Sequence, residues 1–292
     1  MTTVETAQVA TVKADGINVF YRHAGPPDAP TVLLLHGYPS SSHMFRNLIP
    51  RLAPKYRVIA PDLPGFGFTS VPDSLNYEYT FANLSKTLTA FVDALGLKRF
   101  AMYIFDYGAP TGLRFALERP EAVAAIITQN GNAYTEGFGA EFWAPLQKYW
   151  ASGSSEDREA IRGATTLDVT KWQYTNGSPN PDAIQPEAYY LDQALMDRPG
   201  NKDIQLDLFY DYRTNVPLYP RFQEYFRNSN VPVLAIWGKN DTIFIAPGAE
   251  AYRRDVKKLD FHWLDAGHFA LETNEDEVAK QIQRFLEKHN VF

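Results

Sequence analysis

The stretch Ala101–Pro110, AMYIFDYGAP, decides the fold of this chain. It is apolar for five residues, and then Asp106 stands where a tyrosine and a glycine interrupt the apolar run. A short and nearly continuous apolar run is typical of a strand covered on both faces of a parallel sheet. Residues 109–117 have helical spacing, so Asp106 is predicted to lie in a sharp turn between a strand and a helix. Gly108 supplies the room that such a turn needs.

The same alternation of strand and helix extends over much of the chain. Helices are predicted over residues 42–52, 81–95, 109–117, 248–256 and 275–288. Strands are predicted at INVFYRHAG, TVLLLHG, YRVIAPD, FAMYIFD, VAAIITQNG, VPVLAIWG and LDFHWLDAG. This order predicts an α/β fold with a mainly parallel central sheet and helices on both faces.

The pattern changes between residues 132 and 228, where the alternation is lost and Trp and Tyr become frequent. Regular strands resume after this segment. The segment is therefore predicted to be a helical cap inserted between two strands of one core. That core is predicted to comprise residues 1–131 and 229–292.

The composition restricts the classes of function. The chain has 292 residues, no cysteine and a formal net charge of -6, with no basic block for nucleic acid or anionic lipid. We find no secretory leader and no apolar run long enough to span a membrane, so a cytoplasmic protein is expected. The chain is expected to be a monomer or homodimer.

Motifs for metals and cofactors are weak. Histidines outside the motifs described below show no metal-ligand spacing, namely His23, His43, His262 and His289. The segment Gly65-Phe66-Gly67 lacks the third glycine and the helix start of a dinucleotide loop. No metal and no cofactor are expected.

The position of Asp106 suggests that this carboxylate has a role in ligand binding or catalysis. The carboxyl end of a central parallel strand is where α/β sheets bind their ligands. The first N–H groups of the following helix point toward the same place, which favours a negative charge. We expect Asp106 to be ionised near neutral pH, as its ordinary pKa of about 3.9 already favours. Taken alone, Asp106 could equally be a helix N-cap.

Several ordered motifs resemble the α/β-hydrolase superfamily. The segment Ile104-Phe105-Asp106-Tyr107-Gly108 resembles its nucleophile elbow, with aspartate in place of serine. The oxyanion loop of this superfamily is similar to His36-Gly37-Tyr38-Pro39, and its loop after the next strand is similar to Asp62-Leu63-Pro64-Gly65-Phe66-Gly67. Its acid loop is similar to Trp237-Gly238-Lys239-Asn240-Asp241, and its histidine loop to Asp265-Ala266-Gly267-His268-Phe269. An aspartate at the nucleophile position resembles the epoxide hydrolase and haloalkane dehalogenase branch of this superfamily.

The resemblance implies roles for individual residues. Asp106 would attack a saturated carbon and form an alkyl ester. His268 would then activate water, with Asp241 holding its tautomer and stabilising its charged form. The backbone N–H groups of Tyr38 and Tyr107 would bind the oxyanion during hydrolysis of the ester.

The leaving group is less well determined. Dehalogenases resembling this chain carry a tryptophan after the nucleophile and often an asparagine after His-Gly, whereas Tyr107 and Tyr38 stand here. Epoxide hydrolases instead use cap tyrosines as proton donors. Tyr212 matches one such position, and the candidates for the second are Tyr149, Tyr174 and Tyr190.

Three functions follow from this resemblance. Epoxide hydrolysis is the first expectation, with carbon–halogen hydrolysis and a non-catalytic ligand-binding homologue as alternatives. Fluoroacetate-type dehalogenases are also similar, but they carry an arginine where Tyr107 stands. The expected substrate is therefore an uncharged, small or medium-sized apolar molecule, which reacts with water.

Overall fold

The computed structural model describes residues 6–292 and contains one eight-stranded sheet. Its strands are β1 (Gln8–Ala14), β2 (Ile17–Ala24), β3 (Thr31–Leu35), β4 (Arg57–Pro61), β5 (Phe100–Phe105), β6 (Val123–Gln129), β7 (Val233–Gly238) and β8 (Leu259–Leu264). They lie in the order β1-β2-β4-β3-β5-β6-β7-β8. All neighbouring pairs from β4 to β8 are parallel, and β2 is antiparallel to both β1 and β4. The predicted α/β class with a mainly parallel sheet is confirmed.

Within the described part of the chain, eleven α-helices accompany the sheet. They are α1 (Leu48–Leu52), α2 (Phe81–Ala94), α3 (Gly108–Glu118), α4 (Ala140–Ser152), α5 (Ser155–Ala160), α6 (Leu167–Thr175), α7 (Pro186–Met196), α8 (Asn201–Asp211), α9 (Tyr219–Ser229), α10 (Ala246–Asp255) and α11 (Leu271–Lys288). Helices α4 to α9 all lie between β6 and β7, where the cap is predicted. The division at residues 131/132 and 228/229 stays a prediction.

The two faces of the sheet have separate cores. Along β3, Leu33 and Leu35 join one buried cluster, whereas Val32 and Leu34 join the other. The first cluster includes residues of α2, α3 and the cap, and the second includes residues of α1 and α11. Both faces are therefore covered, which explains why the inner strands are apolar at successive positions.

Two secondary-structure predictions were wrong. The predicted helix over residues 42–52 is a short 3₁₀ helix, Ser42–Phe45, followed separately by α1. The strand β1 was not predicted. It pairs only with β2 at the edge of the sheet, so most of its residues remain exposed or half-buried and it lacks the continuous apolar run of an inner strand.

The sheet order places the candidate site. In the sheet, β3 lies between β4 and β5, the two strands that follow it in the sequence. At such a switch point the loops after two neighbouring strands diverge and leave a crevice at their carboxyl ends. Tyr38 follows β3 and Asp106 follows β5, so both residues belong to this crevice. Within residues 6–292 no helix is both long and apolar enough to cross a membrane.

Candidate active site

Asp106 occupies a tight turn between β5 and α3. Its φ is +46°, a left-handed conformation that is uncommon for a residue with a side chain. The turn is close to β3, because a Cβ added at Gly108 would lie 2.4 Å from the carbonyl oxygen of Leu35. Glycine at position 108 therefore permits the approach of the two segments, as the sequence predicts.

The Asp106 carboxylate is held by backbone N–H groups. The N–H of Tyr38 donates to Oδ1 of Asp106 at 2.6 Å. The backbone N–H of Tyr107 also stabilises the charged form of this carboxyl and lowers its pKa. Gly37 makes the first contact possible, since a Cβ at that position would lie 2.3 Å from Oδ1 of Asp106. The two N–H groups predicted to bind an oxyanion thus contact the same carboxylate.

His268 and Asp241 form a buried pair. The Nδ1 atom of His268 lies 2.8 Å from Oδ2 of Asp241, and Oδ1 of Asp241 accepts the N–H of Ile243 at 2.7 Å. The opposite ring nitrogen, Nε2, lies 3.7 Å from Oδ2 of Asp106. Residues predicted at three distant places in the sequence therefore meet at one point.

The charges at this point influence one another. Burial raises the pKa of Asp106 to about 6, although His268 and the N–H groups of Tyr38 and Tyr107 lower it. Desolvation is the larger effect, yet a pKa of about 6 still leaves Asp106 mostly ionised near neutral pH, as expected from the sequence. Burial lowers the pKa of His268, but the carboxylates of Asp241 and Asp106 raise it, and the net shift is upward.

Asn130 is a site residue that the sequence analysis missed. Its Nδ2 donates to Oδ2 of Asp241 at 2.6 Å, the same oxygen that binds His268. Its Oδ1 accepts the N–H of Gly238 at 3.0 Å. The Asn130-Gly131 dipeptide at the end of β6 carried a signal for a turn, and Asn130 has a φ of +47°.

The predicted cap tyrosines occupy different places. Tyr212 is fully buried, its ring centroid lies 5.8 Å from that of Tyr107, and its hydroxyl lies 3.2 Å from that of Tyr219. Tyr149 packs on Tyr210, and Tyr190 is 56% exposed. The structure therefore brings Tyr212, and not Tyr149 or Tyr190, into contact with the nucleophile elbow.

Tyr174 contacts the histidine loop rather than the elbow. Its ring stacks on that of Phe269, the residue after His268, with centroids 3.8 Å apart. Its hydroxyl donates to Asp192 of α7. Since its one proton is donated to a carboxylate, Tyr174 is poorly placed to donate to a substrate, whereas the Tyr212 hydroxyl can accept from Tyr219 and keep its own proton free.

The side chain of Tyr107 has an unexpected feature. Its hydroxyl is buried and has no hydrogen-bond partner among the described residues. Its ring packs against Phe81 and Tyr38 as well as Tyr212. A buried hydroxyl without a partner costs about 1–3 kcal/mol, so Tyr107 keeps an unpaired donor within the packing around the turn.

An apolar pocket of about 430 Å³ lies within the cap, and its described lining includes neither Asp106 nor His268. Its lining includes Phe142, Leu146, Ile161, Ala164, Val169 and Trp172. The carbonyl oxygen of Ala164 accepts the hydroxyl of Tyr38 at 2.8 Å, which connects the pocket wall to the residue that binds Asp106. Thr242, which follows Asp241, also lines the pocket.

The described residues offer no metal site: residues 6–292 contain no group of three or more His, Asp or Glu side chains that could hold an ion. The expected absence of a metal or cofactor stays a prediction.

Comparisons with known proteins agree with this architecture. Residues 30–275 match the family model described as alpha/beta hydrolase fold. An uncharacterized hydrolase of Saccharomyces cerevisiae is 50% identical over 271 residues, which cover 92% of this chain and 93% of the yeast protein. A haloalkane dehalogenase of Mycobacterium marinum is 36% identical over 124 residues, covering 42% of this chain and 41% of the dehalogenase.

A solved structure extends the similarity over the whole fold. The epoxide hydrolase CorEH, solved without ligand, aligns with a TM-score of 0.78 over 97% of this chain and 98% of its own. Its sequence identity is 20%, so this similarity concerns the fold alone.

Proposed function

This chain belongs to the α/β-hydrolase fold family, and on this premise we propose that it hydrolyses an apolar electrophile through a covalent ester on Asp106. The observation that carries the proposal is the meeting of three groups. They are the buried carboxylate of Asp106, the imidazole of His268 at 3.7 Å, and Asp241 bonded to the far side of that imidazole.

In the first step, an oxygen of Asp106 attacks a saturated carbon of the substrate. A carbon–oxygen ester bond forms as the bond to the leaving group breaks. An opened epoxide leaves an alkoxide on the same substrate molecule, which takes a proton from a nearby donor. A haloalkane instead releases halide.

In the second step, Nε2 of His268 removes a proton from water while the resulting hydroxide attacks the ester carbonyl carbon. The developing oxyanion is held by the N–H groups of Tyr38 and Tyr107. The ester bond then breaks, and the departing alkoxide takes the proton back from His268. Asp241 stabilises the imidazolium between these events.

This machinery is poorly suited to ordinary esters. A carboxylate that attacks an ester carbonyl would have to form an anhydride and expel an alkoxide. The anhydride is the more reactive species, so the attack would tend to reverse. An Asp nucleophile therefore favours substrates that react at saturated carbon.

Epoxide hydrolysis is the first choice because two buried tyrosines, Tyr107 and Tyr212, pack together at the elbow. Burial raises the pKa of Tyr107 and of Tyr212 well above the ordinary value, so both remain protonated donors at neutral pH. The Tyr107 hydroxyl has no partner among the described residues, and we propose that it serves with Tyr212 as the donor pair. This assigns the second donor to the elbow itself rather than to Tyr149, Tyr174 or Tyr190.

Carbon–halogen hydrolysis is the second candidate. The similarity to a dehalogenase of Mycobacterium marinum over 42% of this chain favours it. Tyrosine hydroxyls can also donate to a departing halide. A non-catalytic binding role is less favoured, because a protein that only binds its ligand needs no base beside its nucleophile.

The pocket indicates the class of substrate. Its described lining contains no Lys, Arg or His, and its one charged member, Glu141, is acidic. Most of the other lining residues are apolar. We propose that it receives the uncharged hydrocarbon part of the substrate.

The test is intact mass spectrometry of His268→Gln after incubation with styrene oxide or with 1-bromohexane. Without the base, the ester should form and persist. The expected result is a mass increase equal to the whole epoxide, or to the alkyl group of the halide less one hydrogen, located on Asp106 by peptide mapping. Asp106→Asn combined with His268→Gln is the matched control. A folded His268→Gln variant that gains no mass from panels of epoxides and haloalkanes would favour the binding protein.

A further inference from the structure

The end of α6 contacts the loop that carries Asp241. The Nδ2 group of Asn176 donates to Oγ1 of Thr242 at 2.7 Å, and Nδ2 of Asn240 donates to the carbonyl oxygen of Gly177 at 2.9 Å. Asn240 and Thr242 are the two chain neighbours of Asp241. The two residues that flank Asp241 are therefore both hydrogen-bonded to one short segment of the cap.

The same segment packs directly on the backbone of the histidine loop. A Cβ added at Gly267 would lie 1.8 Å from the carbonyl oxygen of Asn176. Gly177 has a φ of +77°, and a Cβ there would lie 2.9 Å from Cα of Gly267. Because the two backbones leave no room for side chains, a displacement of one segment displaces the other.

Tyr174 adds a third contact. Its ring lies 3.8 Å from that of Phe269 between centroids, at an interplanar angle of 13°. Its hydroxyl is bonded to Asp192, and both residues are buried. The ring is thus fixed from α7 on one side and supports the residue next to His268 on the other.

We propose that residues 174–177, named here the clamp segment, position His268 and Asp241 for the hydrolysis of the ester. The contacts fall on the chain neighbours of these two residues. Asp106 is held separately, by the N–H groups of Tyr38 and Tyr107. Loss of the clamp therefore slows the second half-reaction more than the first. This inference rests on the proposed function.

The first variant is Asn176→Ala, which removes the bond to Thr242 and keeps the backbone. With styrene oxide or 1-bromohexane, the ester should accumulate during turnover of an enzyme that retains His268. The rate of ester hydrolysis should fall about 10-fold and the rate of ester formation by less than about 2-fold, since the displaced groups act only in hydrolysis. The matched control is Asn180→Ala, an exposed asparagine four residues farther along the chain.

A second pair of variants separates the contacts of Tyr174. Tyr174→Phe keeps the stacking on Phe269 and should hydrolyse the ester within about 3-fold of the wild-type rate. Tyr174→Leu loses the stacking and should accumulate ester. If Asn176→Ala and Tyr174→Leu slow both half-reactions equally, the clamp segment has only a structural role and the proposal is overturned.

A proton resonance of His268, measured without substrate, tests the role of the clamp segment independently of ester formation. The Nδ1–H proton of His268, bonded to Asp241, should give a strongly downfield proton resonance that is absent in His268→Gln. In Asn176→Ala and Tyr174→Leu this resonance should broaden or disappear, and in Asn180→Ala it should be unchanged. If no electrophile forms an ester, the proposed function fails and this resonance alone decides: broadening supports the clamp, and an unchanged signal overturns it.

Discussion

The Nε2 atom of His268 lies 3.7 Å from Oδ2 of Asp106, which is beyond hydrogen-bond distance, and it has no hydrogen-bond partner within residues 6–292. In the proposed mechanism this nitrogen takes a proton from the water molecule that attacks the ester. It does not take a proton from Asp106. A base held at this distance from the nucleophile leaves the carboxylate free for the substrate. The opposite nitrogen is fixed by Asp241, so the ring has one orientation.

The first prediction concerns Asp106→Asn. The variant should lose measurable turnover, because an amide does not form the ester. It should also be more stable than the wild type at pH 8. Burial raises the pKa of Asp106 from 3.8 to about 6, so the ionised side chain destabilises the folded state by on the order of 3 kcal/mol above pH 6.

The difference in stability between Asp106→Asn and the wild type should depend on pH. Below about pH 4, Asp106 is protonated in the folded and unfolded states, and the advantage of the variant should vanish. Between about pH 4 and 6 the advantage should grow as pH rises. Urea unfolding at several pH values measures it, and a constant difference from pH 3 to 8 would contradict the assigned pKa.

The second prediction is the pH dependence of ester formation. Only the ionised carboxylate attacks, so the rate should rise with pH through a midpoint near 6. Rapid quenching followed by mass spectrometry measures this rate. In His268→Gln the midpoint should be higher, because the nearby His268 lowers the pKa of Asp106. An unshifted midpoint would show that these two groups do not interact.

The third prediction concerns the donor hydroxyls. Tyr107→Phe removes a hydroxyl without a described partner and should be at least as stable as the wild type. Its rate of ester formation from an epoxide should fall by about 10²-fold, since proton donation contributes about 10²–10⁴-fold. Tyr212→Phe should act similarly. Tyr149→Phe is the control, and an equal loss in that variant would argue against the assigned pair.

The fourth prediction concerns the apolar pocket. A Cβ added at Gly163 would meet no atom within 4 Å, so Gly163→Trp can place an indole in the pocket without a backbone clash. The ratio of kcat/KM for styrene oxide to that for propylene oxide should fall about 10-fold, because one or two lost apolar contacts are worth about 1–3 kcal/mol. Val9→Trp, on the exposed edge strand, is the matched control. An unchanged ratio would place the substrate elsewhere.

The fifth prediction tests Asn130. Asn130→Ala removes the donor to Oδ2 of Asp241 and leaves the N–H of Gly238 without its partner. Ester hydrolysis should slow by about 10-fold or more, and the protein should be destabilised by about 1–3 kcal/mol. Single-turnover kinetics and urea unfolding measure the two effects. Asn228→Ala, at an exposed position of α9, should change neither.

The sequence by itself determined the class of fold and the order of its candidate catalytic motifs. Apolar runs such as residues 100–105 can be satisfied only by burial on both faces, and the helical spacing after each run then predicts alternating layers. The positions of Asp106, Asp241 and His268 followed because each stands in the loop after a strand. Strands that run parallel bring such residues to one edge of the sheet.

Only the tertiary structure decided which cap side chains face this edge. The resemblance to epoxide hydrolases singled out Tyr212, but the cap lacks a regular period that would link a residue to a face, so Tyr149, Tyr174 and Tyr190 were not distinguished in the sequence. Their different places result from contacts between segments far apart in the chain, such as Tyr174 with Phe269. The free hydroxyl of Tyr107 and the raised pKa of Asp106 likewise depend on burial by distant segments, because desolvation is a property of the surrounding packing and not of the local sequence.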